Sequence, residues 1–190
     1  MSAAPTEPST LAERIDTVRR QVAEAARRAG RVPESVTIVA VSKTFDRNDA
    51  DAAYALGMRH FAENRVQEAQ GKFGNPPLPD GAILHLIGQL QSNKARPAAA
   101  LFDLIESVDR ASLIDALERD ADRLGRPLPV LLQVNIAREP QKSGCAPEDA
   151  PALAARMIGS PALDLRGLMT IAPLVPDPEL ARPTFAGLRQ

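Results

Sequence analysis

The sequence predicts an α/β fold of the TIM (β/α)8-barrel type, incomplete at about six βα units behind an N-terminal helix. Three observations predict it. Apolar runs of strand length alternate with helical periods along the 190 residues, and such alternation implies a parallel sheet covered by helices. No G-x-G-x-x-G follows a strand, so a dinucleotide-binding fold is unsupported. Polar residues gather where the apolar strands end, the edge on which barrels of this type carry their active groups. A complete barrel takes eight strands and about 250 residues; this sequence supplies six strands.

Residues 1–8 are small, polar and proline-bearing and are expected to be disordered, leaving residues 9–190 as one domain. Thr10 and Glu13 form a T-x-x-E capping box, followed by Leu11, Ile15, Val18, Val22 and Ala26 at helical spacing and closed by Gly30 and Pro33. The first strand is expected at about 36–42, then a helix at 47–56 ended by Gly57. "RHFAEN" reads as the second strand, with a helix from Arg65 to Lys72. "GNPPLPDG" is a loop. "AILHLIG" is the third strand, and "SNKARPAAA" opens a helix capped by Ser92 or Asn93. "FDLIESV" is the fourth strand; Asp109 caps a helix whose apolar face is Leu113, Leu117, Ala121 and Leu124. "PVLLQVNI" is the fifth strand, Pro147 opens a helix carrying Leu153, Ala154, Met157 and Ile158, and "LDLRGLMTIA" is the sixth strand. A last helix begins near Pro178.

Composition narrows the function. Lys+Arg 23 against Asp+Glu 24 gives a net charge of -1, and aromatics are 3% with no Trp. Neither supports nucleic-acid binding or a polybasic membrane role. Cys145 is the one cysteine and there are two histidines, which argues against a structural zinc site and an intramolecular disulfide. The N-terminal "MSAAPTEPST" has no signal-peptide pattern, and no apolar run approaches the ~20 residues of a membrane helix. A cytoplasmic location is expected.

The strand ends read Ser42-Lys43-Thr44, Glu63-Asn64, His85 to Gly88, Ser107 to Asp109, Asn135, and Met169-Thr170. Lys43 carries the most chemistry. The chain has four lysines (Lys43, Lys72, Lys94, Lys142) beside nineteen arginines. An amine at the end of an apolar strand is partly desolvated, which favours its neutral form; a neutral amine attacks carbonyls to form a Schiff base, and arginine cannot. The other reading is a lysine whose charge simply reaches water. His85 can stack on or hydrogen-bond to a bound ring, or be a satisfied core residue. Asn64 and Asn135 can orient a ligand or cap the turns that follow. Lys94 and Arg96 lie where a helix start can hold an anion, or carry solvated charge. Lys142, in the loop "QKSG", reads equally as surface charge, and no partner for Cys145 is apparent.

The ordered set "AVSKT", "FAENRVQEA", "LHLIGQLQSNKAR", "ESVDR", "LLQVNI", "QKSG" and "LRGLMTI" resembles the pyridoxal 5'-phosphate (PLP) homeostasis protein family, whose members are similar to the barrel domain of alanine racemase. The resemblance covers roughly Val36 to Ile171. It implies that Lys43 holds PLP as a Schiff base, that Asn64, His85 and Met169 surround the cofactor with Asn135 at the same mouth, and that no metal is used. It implies a carrier or regulator of intracellular PLP without established turnover, with PLP and PLP-dependent apoenzymes as partners and a monomeric state. A racemase-like or Schiff-base enzyme and a binding-incompetent fragment are the alternatives; the one tyrosine, Tyr54, falls in a predicted helix and offers no acid opposite Lys43. Family chains continue through an S-M-G-M-S turn and an R-I-G segment, corresponding to strands seven and eight and the phosphate site. Neither occurs in these 190 residues, so weak PLP binding and two unpaired sheet edges are expected. Ala62 stands where many relatives have glycine.

Overall fold

Thr10 and Glu13 open the described part of the chain, residues 10–190 of a computed structural model; the expectation of disorder over residues 1–8 lies outside the described residues. The Thr10 hydroxyl accepts from the Glu13 N–H at 3.3 Å, and the Glu13 carboxylate accepts from the Thr10 N–H at 2.8 Å. This reciprocal cap starts α1 (Leu11–Arg28), and Gly30, at φ +67°, ends it in the left-handed conformation that suits glycine. There follow β1 (Val39–Val41), α2 (Arg47–Ala55), β2 (His60–Glu63), α3 (Val66–Phe73), β3 (Ile83–Leu86), α4 (Ala95–Leu101), β4 (Leu104–Val108), α5 (Ala111–Ala121), β5 (Leu128–Gln133), α6 (Ala150–Ile158), β6 (Leu163–Met169) and α7 (Arg182–Arg189). No helix among the described residues is long and apolar enough to cross a membrane.

The six strands form one parallel sheet in the order β1-β2-β3-β4-β5-β6. Strand-to-strand crossovers are right-handed, and an order that advances in one direction keeps every crossover helix on the same face. That decides for a barrel arc over a doubly wound sheet, and fits the incomplete (β/α)8 barrel expected from the sequence. Strand side chains alternate between faces. Phe61, Leu84, Leu86, Ile105, Val130 and Leu132 pack against the helices and are buried. They meet Ala53, Ala69, Phe73, Ala98, Leu117 and Met157 from α2 to α6. Each large side chain fully buried here contributes about 1.5–3 kcal/mol. The small residues Ala95, Ala98 and Ala99 are the part of the short α4 that enters the buried core.

Several local expectations shift. β1 starts at Val39 rather than Val36, because Pro33–Ser35 forms a 3-10 turn closed by the Val36 N–H on the Pro33 carbonyl. Neither Ser92 nor Asn93 caps α4: Ser92–Lys94 coil into a 3-10 turn ahead of it, and the Ser92 hydroxyl accepts from Arg110. Asp109 does not cap α5; its carboxylate accepts from Arg110 and from the Gly144 N–H. α6 begins at Ala150, with Pro147 in the preceding turn, and Ile158 lies on its outer side, 73% exposed.

Two positions have backbone reasons for glycine. A Cβ on Gly88 would stand 2.1 Å from the Asn64 carbonyl oxygen, so the loops after β2 and β3 touch only because Gly88 lacks one. Gly144, at φ +117°, would bring a Cβ to 2.7 Å of the Asn135 nitrogen. It lets the loop after β5 fold back, so that Cys145 pairs with Val134. Cys145 is buried there, and burial first, with Asp149 and Asp109 adding, pushes its thiol up to about 11 from 9.0.

Gly88→Ala is expected to lower stability by about 1–3 kcal/mol through overpacking against backbone, read as a lower thermal midpoint. Only the thiolate is nucleophilic, so thiol reagents at pH 8 are expected to label Cys145 slowly in the native protein and rapidly in denaturant. Because the folded thiol holds its proton more tightly, its contribution to stability is complete below pH 9.0 and is lost as pH rises through about 11.

Candidate functional site

β1 does not run on into Lys43. The Ser42 N–H still bonds to the Ala62 carbonyl of β2 at 3.0 Å, but the Phe45 N–H then bonds back to the Ser42 carbonyl at 3.1 Å. Ser42 to Phe45 is therefore a β-turn, with Lys43 at its first corner and Thr44, φ +70°, at its second. That φ pattern is the type II turn, which ordinarily takes glycine where this chain has Thr44. Lys43 is solvent-exposed. The sequence predicts a partly desolvated amine at a strand end; a turn corner beside an edge strand explains the difference, because neither gives the side chain a wall. Lys43 has no hydrogen-bond or ion-pair partner among the described residues. It lies two residues beyond the register row Val41–Ala62–His85.

The turn is anchored from the helix side of the sheet. Phe61 faces the helices, so Glu63, two residues on, faces them too, and it is 0% exposed. A buried carboxylate needs partners. Glu63 Oε1 accepts from Lys72 Nζ of α3 at 2.7 Å and from the Ser42 hydroxyl at 2.7 Å. Lys72 Nζ donates a second bond, 2.8 Å, to the Ser42 carbonyl. Glu63 Oε2 is buried without a partner. The sequence reading missed Lys72; the available signal was its scarcity, one lysine in four at the end of an apolar helix.

On the opposite face three titratable side chains form a line across β2, β3 and β4. His85 Nδ1 lies 2.6 Å from Glu106 Oε1, and His85 Nε2 lies 2.9 Å from His60 Nδ1. A carboxylate only accepts, so His85 donates through Nδ1. Nε2 is engaged with His60 in either protonation state. Burial, then the neighbouring His85, lowers the pKa of His60 from its ordinary value, and Glu106 opposes this in part. Both nitrogens of His85 are thus engaged, and its ring offers a ligand a face rather than an N–H. His60 and Glu106 were not singled out from the sequence; their period-2 placement on apolar strands was the signal.

The remaining expected residues occupy the same sheet edge in different states. Asn64 is half-buried just past β2. Asn135 holds its own loop: its amide donates to the Glu139 carbonyl at 2.9 Å and its oxygen accepts from the Glu139 N–H at 3.3 Å. These bonds cap the turn that follows β5. Met169 ends β6, half-buried and in register with Gln133. Lys142 is not plain surface charge. It pairs with Glu139 at 2.6 Å and donates to the Ala172 carbonyl at 3.0 Å, pinning the segment after β6. Lys94 and Arg96 sit at the start of the seven-residue α4 without a side-chain cap. On the face away from the helices, Gln133 Oε1 is buried with no partner; Ser107 Oγ, in the irregular stretch of β4, is too.

The family model for the alanine racemase N-terminal domain matches residues 14–190. The chain is 44% identical over 183 residues to the pyridoxal phosphate homeostasis protein of Pseudomonas aeruginosa, covering 96% of this chain and 79% of that one. It is 39% identical over 190 residues to the protein of the same name from Escherichia coli K12, covering 94% and 80%. Among solved structures, PipY of Synechococcus elongatus PCC7942 with PLP bound matches with a TM-score of 0.80 at 40% identity, covering 95% of this chain and 79% of that one. Alanine racemase of Clostridium difficile 630 matches with a TM-score of 0.68 at 12% identity, a likeness of fold. With matches that span most of this chain and about four fifths of its relatives, the chain belongs to the pyridoxal phosphate homeostasis protein family, built on the alanine racemase N-terminal domain.

Proposed function

We propose that this chain binds PLP through Lys43 and acts in the cytoplasm as a carrier or regulator of the cofactor, handing it to apoenzymes without turnover of its own. The observation that carries the reading is the state of Lys43. Among the described residues it is a primary amine without a hydrogen-bond or ion-pair partner, at the C-terminal edge of a parallel sheet, whereas Lys72 and Lys142 are held by Glu63 and Glu139. PipY, 40% identical, has been solved with PLP bound.

The residues present fit the ring and aldehyde end of the group; the segments to which the resemblance assigns the phosphate site do not occur in these 190 residues. A polar, ring-bearing ligand needs hydrogen-bond partners and a flat apolar surface. The buried, unpartnered Gln133 Oε1 and Ser107 Oγ supply hydrogen-bonding atoms, and the His85 ring, held at both nitrogens, supplies a fixed face. When bound, the cofactor supplies an aldehyde that condenses reversibly with a primary amine, the aldehyde oxygen leaving as water. Lys43 supplies the nitrogen. Asn64 and Met169 border the site from β2 and β6, and Asn135 shapes it by holding its loop. Tyr54, the one tyrosine, donates to the Asp80 carbonyl at 2.8 Å, so it does not stand opposite Lys43 as a proton donor. That favours a carrier over a racemase, and residues 9–190 are proposed to act as one PLP-binding unit, monomeric in solution.

PLP titration of the purified protein is expected to give the visible absorbance of lysine-bound cofactor. Lys43→Ala is expected to abolish it at saturating PLP, while Lys94→Ala retains it. Persistence of the band in Lys43→Ala would refute the assignment.

A further inference from the structure

Two costly features flank Lys43. On its N-terminal side Ser42 is gripped from within the fold, its carbonyl accepting from Phe45 N–H at 3.1 Å and from Lys72 Nζ at 2.8 Å, and its hydroxyl donating to Glu63 at 2.7 Å. On its C-terminal side Thr44 holds φ +70°, a conformation that strains a β-branched residue and is free for glycine. Neither feature is an efficient source of stability. A buried ion pair is often matched or exceeded by apolar residues of similar volume, and Glu63 leaves one carboxylate oxygen unpartnered. Thr44 is exposed, so burial of its side chain offsets little of that conformation's cost. Backbone strain that survives because its surroundings dictate it concentrates at functional sites.

We infer that Lys72, Glu63 and Thr44 are positioning residues for Lys43. They join the end of β1, the end of β2 and the last turn of α3 around Ser42, and fix the turn corner from which the Lys43 amine meets the cofactor aldehyde. This rests on Lys43 being the residue that holds PLP. An exposed side chain with no wall of its own must take its direction from its backbone, and these contacts restrict that backbone to one conformation. A well-oriented nucleophile reacts faster than a free one because less orientational entropy is lost on the way to bond formation.

The test separates positioning from structure. Thr44→Gly relieves the strain, so its thermal midpoint is expected to equal or exceed that of the parent, yet the rate of adduct formation at Lys43, measured at saturating PLP, is expected to fall tenfold or more. The paired change Glu63→Gln with Lys72→Met leaves no unpaired charge, and is expected to keep the fold by circular dichroism while slowing the same step by a similar factor. Thr44→Gly decides the question alone should the paired variant fail to fold. Parental adduct rates in Thr44→Gly, whatever its midpoint, overturn the inference. Lys43→Ala, run alongside, separates the two readings: an adduct that survives there removes the assignment of Lys43 itself, whereas an adduct lost there but formed at the parental rate in Thr44→Gly removes only the positioning role.

Discussion

The Glu63 carboxylate, fully buried between the sheet and α3, is the contact on which the arrangement of the site depends. One oxygen takes the Lys72 ammonium and the Ser42 hydroxyl together. Three elements are thereby held at one point: the exit of β1, the exit of β2 and the last turn of α3. Removing one member would leave a charge buried without compensation, a loss of about 3–5 kcal/mol. The pair is therefore better understood as a constraint on geometry than as a source of stability.

The rest follows from a sheet whose strands advance in one direction. Helices lie on one face, and the other is free to carry chemistry. The line Glu106–His85–His60 occupies that free face and fixes the His85 ring. Gly88 and Gly144 then bring the loops after β3 and β5 into contact with the backbone at Asn64 and Asn135. Lys142 ties the loop after β5 to the segment that follows β6. The edge strands β1 and β6 leave Val41 and Leu168 43% and 44% exposed, and the same openness accounts for the exposure of Lys43.

Local pattern carried the strands and helices, because period 2 and period 3.6 are visible in one dimension. The capping box at Thr10 and Glu13 and the six βα alternations could be read directly. The site was legible as a list of strand ends, and Lys43 was legible through the scarcity of lysine. What could not be read needs register or a backbone angle. Lys72 meets Glu63 only once a turn and two helical turns are built between them. His60 and Glu106 meet His85 only through neighbouring strands. Asp109 was expected at a helix cap, but a loop 35 residues away offered its carboxylate the Gly144 N–H. The exposure of Lys43 was misjudged because a turn at positive φ in Thr44 has no signal in a residue type that normally avoids it.

The most direct measurement is the location of the covalent bond. The protein is saturated with PLP, the adduct is fixed with borohydride, and the digested peptides are weighed. Label is expected on the peptide containing Lys43, with Lys72, Lys94 and Lys142 unmodified at stoichiometric labelling. Label concentrated on any of those three, with Lys43 free, would contradict it.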